Sequence, residues 1–238
     1  MKKALGILGG MGPMATVDLF HKIVAMTDAA CDNGHMRIYI DCNAAIPDRT
    51  AAILSGGRDP LPYMRESLQK LLSCGAELLI MPCNTAHYFL PRLQAESPVP
   101  FLSMPAVTAA ACARLFPGKT AAILATRGTL ATGIYRDALL SASVPFLEPD
   151  EAERDALMRV IYQGVKADAP AETYRADLEG VIRGLQARGA GYFILGCTEL
   201  PLAFSALKLS CPVVDPTSEL ARAAILQCGY QVRVQRLC

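Results

Sequence analysis

Neither a strong charge bias nor a long apolar run occurs in this chain. Its 238 residues carry 23 Lys and Arg against 22 Asp and Glu, a formal net charge of +1. There is thus no basic excess to hold nucleic acid or an anionic bilayer, and no apolar stretch is long enough to span a membrane. Lys2-Lys3 and the apolar residues towards Phe20 imitate a secretory signal, but Gly6, Gly9, Gly10, Gly12 and Pro13 interrupt them. A first strand and its turn are expected there instead. Also missing are a Cys-x-x-Cys pair, a Gly-x-Ser-x-Gly elbow, a P-loop and a pyridoxal-binding signature, which leaves hydrolase and phosphotransfer readings little support. His21 and His35 belong to no motif.

What is present is a hydrophobic content of 52%, enough for the core of one large or two small domains. Nine cysteines, an odd number without a secretory signal, point to reduced thiols in the cytoplasm. Seven of them, Cys31, Cys42, Cys74, Cys112, Cys211, Cys228 and Cys238, read as small apolar fillers or idle thiols. The other two share a repeated setting.

Gly75-Ala-Glu-Leu-Leu-Ile-Met-Pro-Cys83-Asn-Thr-Ala-His87 begins as a buried parallel strand. After Cys83 come Asn84 and Thr85, N-cap residue types, and a helical period through Ala86, Phe89, Leu90 and Leu93. Cys83 is thereby expected at the carboxyl edge of an open α/β sheet, where ligands bind. The segment Gly189-Ala-Gly-Tyr-Phe-Ile-Leu-Gly-Cys197-Thr-Glu-Leu200 repeats this pattern at an offset of 114 from Gly75. Ala4-Leu-Gly-Ile-Leu-Gly-Gly-Met-Gly-Pro-Met-Ala-Thr16 recurs from Thr120 to Thr132 at an offset of 116, and Val99-Pro-Phe-Leu102 recurs as Cys211-Pro-Val-Val214 at 112. Three ordered matches with nearly one offset indicate an internal duplication.

The expected fold is α/β, with two pseudo-symmetric parallel-sheet lobes and the active site in the cleft between them. Residues 1–103 with 213–238 would form the lobe carrying Cys83, and 104–212 the lobe carrying Cys197. Helices are expected from residue 13 to about 29, about 106 to 116, about 129 to 142, about 150 to 166 and 170 to 188, with a closing helix to 228. The Pro- and Gly-rich segment 43–62 reads as a long surface loop with room for one helical turn, of the kind that forms lids.

A thiol at a helix N-terminus has its thiolate favoured by the helix dipole and backbone N–H groups. Two such sulfurs on opposite sides of a carbon allow one to remove a proton while the other delivers one to the far face, inverting a stereocentre without a cofactor. Asn84, Thr85 and Thr198 add donors for a carboxylate.

At this point Gly9-Gly-Met-Gly-Pro13, Cys83-Asn-Thr-Ala-His87 and Gly196-Cys-Thr-Glu199 resemble the signature motifs of the cofactor-independent aspartate/glutamate racemases over nearly the whole chain. The turn lacks the aspartate usual in glutamate racemases, and Glu199 stands where those enzymes have histidine, which favours the aspartate branch. The resemblance implies that Cys83 and Cys197 are the acid/base pair, acting without pyridoxal phosphate or metal on a small acidic amino acid. It puts substrate contacts on Met11, Arg49, Asn84, Thr85, Lys166 and Thr198, and implies a homodimer. Arg49, in the expected lid, would clamp the second carboxylate. Glu199 would orient Cys197, meet the substrate ammonium or simply cap the helix that follows it.

Other readings accompany this one. Gly10-Met-Gly-Pro-Met-Ala15 matches a Gly-x-Gly-x-x-Ala dinucleotide fingerprint and on its own would suggest an NAD-dependent dehydrogenase. Two lobes around a cleft also describe a non-enzymatic solute receptor. Within the superfamily a hydantoin racemase or maleate isomerase is the near alternative. Cys83 and His87 are spaced for a shared metal, but without a second pair His87 is expected to be a structural hydrogen-bond partner. Arg127 lies at the duplicated turn and is expected to be exposed.

Overall fold

A computed structural model of the protein describes residues 2–233, so Cys238, expected to be an idle thiol, lies outside the described residues. The first half runs β1 (Leu5–Gly9), α1 (Pro13–Met26), β2 (Ile38–Cys42), α2 (Arg49–Leu54), α3 (Leu61–Ser73), β3 (Leu78–Ile80), α4 (Leu90–Glu96) and α5 (Met104–Leu115). Next come β4 (Ala121–Leu124), α6 (Arg127–Ala131), α7 (Ile134–Ser141), β5 (Phe146–Leu147) and α8 (Glu151–Met158). The chain continues through α9 (Glu172–Ala187), β6 (Tyr192–Leu195), α10 (Leu200–Leu207), β7 (Val213–Val214) and α11 (Pro216–Gln227).

Two parallel sheets result, in the orders β2-β1-β3 and β5-β4-β6-β7. A parallel bridge from Leu79 to Phe101 gives the first sheet a fourth position, and Phe101 belongs to the segment that recurs at β7. The two sheets therefore have the same order, the architecture expected from the duplicated sequence. The central strands β1, β3, β4 and β6 are buried along their whole length, which is why they read as unbroken apolar runs, whereas the edge strand β2 is half-exposed and carries Asp41. Residues of α1 and α11 pack on one face of the first sheet and residues of α3 on the other. The second is enclosed by α8, α9 and α10 on one side and α5 and α7 on the other. Along α5, Met104 joins the core of the first sheet while Ala109 and Cys112 join that of the second.

Several expectations need correction. Val213–Val214, assigned by sequence to the first lobe, pairs with β6 and is the edge of the second sheet; the return to the first sheet's core begins with α11. The segment 43–62 does hold the one helical turn expected of it, α2, whose N-terminus is capped by Asp48 accepting from the Ala51 N–H. Gly133, with φ 70°, separates α6 from α7 where one helix was expected. The helix expected to reach Lys166 ends at Met158 and continues as a π-helical turn, Arg159–Gly164, and a 3₁₀ turn, Val165–Ala167. After Cys83 the chain makes a 3₁₀ turn, Thr85–Phe89, before α4.

Candidate active site

Both cysteines leave the carboxyl ends of central strands and reach the cleft between the two sheets, Cys83 after β3 and Cys197 after β6. The cleft encloses only about 20 Å³, room for a water molecule or two. An adjoining cavity of about 830 Å³ lies between the glycine turn and α10. The glycine turn is wound tightly on α1: Thr16 Oγ1 accepts from the Gly10 N–H at 2.9 Å and donates to the Gly12 carbonyl at 3.2 Å. Gly10, at φ +91°, has the Asn43 backbone so close that a Cβ would overlap it.

All nine residues singled out from the sequence line this cleft: Met11, Arg49, Cys83, Asn84, Thr85, Lys166, Cys197, Thr198 and Glu199. Their surroundings differ from the expected ones. Asn84 and Thr85 do not cap a helix; Asn84 Oδ1 accepts from Tyr135 at 2.5 Å. Thr85 Oγ1 lies 2.7 Å from Thr129 Oγ1 and 3.1 Å from Thr126 Oγ1, in a hydroxyl cluster joining the two halves of the chain.

Arg49 is buried, and its fork is largely occupied. Nη1 donates to the Ile46 and Pro47 carbonyls at 3.3 and 2.9 Å, and Nη2 to the Met11 carbonyl at 3.2 Å. Burial would lower its pKa, but attraction and hydrogen bonding to Cys83, followed by attraction to Asp48 and Tyr162, raise it overall. A fixed cation thus stands beside Cys83.

Cys197 has the opposite neighbour. Its thiol donates to Glu199 Oε2 at 2.9 Å. Desolvation first and the Glu199 charge second hold its pKa well above the ordinary thiol value, with Lys166 partly offsetting them. Lys166 Nζ is 4.0 Å from Glu199 Oε1 and 4.3 Å from the centroid of the Tyr162 ring. Burial works against its charge, but Glu199, Cys197, Tyr162 and Cys83 raise its pKa overall.

Sequence reasoning missed four other lining residues, Asp48, Thr50, Thr126 and Tyr162. Tyr162 donates to Asp48 Oδ2 at 3.0 Å across the cleft. Burial would raise the Asp48 pKa, but its hydrogen bonds from Ala51 and Tyr162 lower it overall. Asp48 and Thr50 flank Arg49, Thr126 sits in the duplicated turn, and Tyr162 is four residues before Lys166, so adjacency was the available signal.

His87 does not face the cleft. Nδ1–H donates to the Cys83 carbonyl at 2.9 Å while Nε2 accepts from the Met104 N–H at 3.0 Å, which fixes one neutral tautomer. Burial pushes its pKa down to about 4. With both ring nitrogens engaged it is a structural partner, and among the described residues no group of three His, Cys, Asp or Glu is arranged to hold a metal. Arg127 pairs with Glu151 and Asp155 at the surface.

A family model described as Asp/Glu/Hydantoin racemase matches residues 8–224. A broad specificity amino-acid racemase of Bacillus subtilis, RacX, is 24% identical over 238 residues, covering 93% of this chain and 96% of its own length. Among solved structures, Picrophilus torridus aspartate racemase superposes with a TM-score of 0.84 at 31% identity, covering 97% of this chain and 96% of that one. Glutamate racemase from Francisella tularensis, solved with D-glutamate, shares the fold at 15% identity and a TM-score of 0.66, covering 95% of this chain and 82% of that one.

Proposed function

Because the chain belongs to the Asp/Glu/hydantoin racemase family and is an amino acid racemase, we propose that it inverts the α-carbon of an acidic amino acid, aspartate or glutamate, by proton transfer between Cys83 and Cys197. One sulfur, as thiolate, takes the Cα proton and becomes a thiol. The electron pair left behind spreads into the α-carboxylate, and the other thiol then gives its proton to the opposite face and becomes the thiolate. Atoms and charge balance over the cycle, and the next turnover starts from the mirror-image state. The scheme draws on no pyridoxal phosphate.

The observation that carries this reading is the pair of buried sulfurs on one cleft, a guanidinium beside one and a carboxylate accepting from the other. Two cations, Arg49 and Lys166, line the same cleft, matching two carboxylates, and Glu199 offers an anion to the ammonium. The preference for an acidic substrate follows from this charge pattern and from the aspartate racemase likeness. Since the closed cleft holds little more than water, substrate entry requires the Asp48–Tyr162 contact to open, with the adjoining cavity as the approach.

The test is a chiral-chromatographic assay of L- and D-aspartate and L- and D-glutamate in heavy water without added pyridoxal phosphate. Loss of optical purity with deuterium at Cα of the product is expected. Inversion with protium retained in every product molecule, or no inversion of either amino acid, would overturn the proposal.

The same reading makes the enzyme a cytoplasmic homodimer. No helix of the described residues is long and apolar enough to cross a membrane, and eight cysteines there are free thiols, as a reducing compartment requires. Met14, Val17, Phe20 and Val24 leave an exposed apolar stripe along α1, suited to a second copy. Sedimentation at the mass of a single 25.5 kDa chain at micromolar concentration would rule the dimer out.

A further inference from the structure

We propose that Tyr135, on α7 and outside the cleft, is a positioning residue that locks the Asn84 side-chain amide as a hydrogen-bond donor to the substrate's α-carboxylate. The inference rests on the racemase reading and deepens it. Tyr135 is 2% exposed, and its ring spans the distance between the two cysteine loops. At one end the hydroxyl donates to Asn84 Oδ1, next to Cys83, at 2.5 Å. At the other the ring lies against Gly196, next to Cys197, where a Cβ would come 3.3 Å from Tyr135 Cε2.

The contact determines which way the amide points. With Oδ1 held by the phenol, Nδ2 faces away from Tyr135, and Asn84 is itself 3% exposed and lines the cleft. Among the described residues, the cleft-lining side chains with a buried nitrogen lacking any partner are Asn84, at Nδ2, and Arg49, at Nε. A buried donor without an acceptor is costly, and two of them on one cleft mark where an anionic oxygen pair belongs. Rotation of the amide by half a turn would present Oδ1 to the carboxylate, replacing attraction with repulsion. The donor matters most once Cα has lost its proton, because the carboxylate then carries additional charge. Burial raises the Tyr135 pKa, so the phenol keeps its proton wherever a thiol-based enzyme works.

A double-mutant cycle with Tyr135→Phe and Asn84→Ala tests this, reading kcat/KM for aspartate and, separately, the Kd for succinate, a dicarboxylate that cannot react. Circular dichroism and Tm establish that each variant is folded; loss of one hydroxyl from an otherwise unchanged ring keeps the packing. Tyr135→Phe is expected to lower kcat/KM about tenfold and to weaken succinate several-fold. In the Asn84→Ala background the same substitution should change either quantity less than twofold. Equal effects in both backgrounds, or a lower Tm with kcat/KM and Kd unchanged, would overturn the proposal, since either outcome makes Tyr135 merely structural. If the wild-type protein fails to racemise either acid yet succinate affinity depends on Tyr135 only when Asn84 is present, the racemase reading falls and the positioning role stands.

Discussion

The two cysteine loops occupy equivalent places on sheets of the same strand order, yet they differ in charge and in closure. Cys83 has the buried Arg49 as its neighbour, and Cys197 donates to Glu199. On one flank of the cleft, Thr85, Thr126 and Thr129 share hydrogen bonds, and Gly128 sits so close to Thr50 that a Cβ would lie 2.8 Å from its hydroxyl. On the other flank, Gly12, the counterpart of Gly128 at an offset of 116, has nothing within 4 Å of a hypothetical Cβ. That flank faces the 830 Å³ cavity, with Thr198 and Glu199 on its wall. Duplication supplies two thiols in equivalent positions; divergence of their surroundings gives one a cation, the other an anion, and one flank of the cleft an adjoining cavity.

The largest effect that can break this comparison is removal of either sulfur. Cys83→Ala and Cys197→Ala are each expected to lower racemisation of aspartate by about 10²–10⁴-fold, the usual weight of a general acid or base, with folding intact because both thiols are small and lie at the cleft. The measurement is the initial rate from each enantiomer by chiral chromatography. If one variant kept full activity in both directions, the site would have a single base, and the pairing of Cys83 with Cys197 would be accidental.

The sequence was most informative where one pattern recurred. The two parallel-sheet α/β lobes, the place of the two cysteines at strand ends and nine of the residues that line the cleft were legible, because apolar strands, glycine turns and paired motifs are local signals that the duplication doubled. It was least informative where tertiary contacts overrode local preference. Asn84 has the chemistry of an N-cap, but Tyr135, 51 residues away, engages its side chain. Thr85 likewise meets Thr126 and Thr129, 41 and 44 residues distant. The π-helical turn at Arg159–Gly164 lies within a stretch expected to be a single helix, and Val213–Val214 was assigned to the wrong sheet because the crossover back to the first lobe comes only after it. The Asn84, Thr85 and Val213–Val214 misses concern partners far away in sequence, which periodicity and capping rules do not encode.

The support under the first cysteine sharpens the comparison further. His87 ties the Cys83 carbonyl to the Met104 N–H, whereas its counterpart at an offset of 114 is Pro201, which has no such side chain. His87 is held neutral, with its pKa down from 6.5 to about 4. The unfolded chain therefore binds a proton that the folded chain refuses as pH falls below 6.5, and stability declines until about pH 4, where the folded imidazole also protonates. This one group is expected to remove on the order of 3 kcal/mol over that interval. In urea titrations across this range, His87→Gln should start from a lower stability at pH 7 and show a shallower acid decline. An unchanged slope would mean that other groups govern the acid limb and that the Cys83 loop does not depend on a neutral His87.

The smallest expected effect addresses the anion beside Cys197. Under the proposed mechanism Cys197 must stay protonated to act as acid, and part of what keeps it so is the Glu199 charge, second to desolvation. Glu199→Gln removes the charge while preserving size and an acceptor oxygen, so the Cys197 pKa should fall and the alkaline limb of kcat/KM should move to lower pH. The loss of a charged acceptor is expected to cost about tenfold in kcat/KM near neutrality. Arg49 and Cys83 are left as they were, so kcat at saturating substrate should change unequally for the two enantiomers, the direction in which Cys197 first acts as acid suffering at high pH before the direction in which it first acts as base. By contrast kcat/KM, tied by an equilibrium constant of one, moves together in both directions. Equal alkaline shifts of kcat for L- and D-aspartate would mean that the opposite charges beside the two sulfurs do not divide their roles, and that the asymmetry of the cleft serves substrate entry alone.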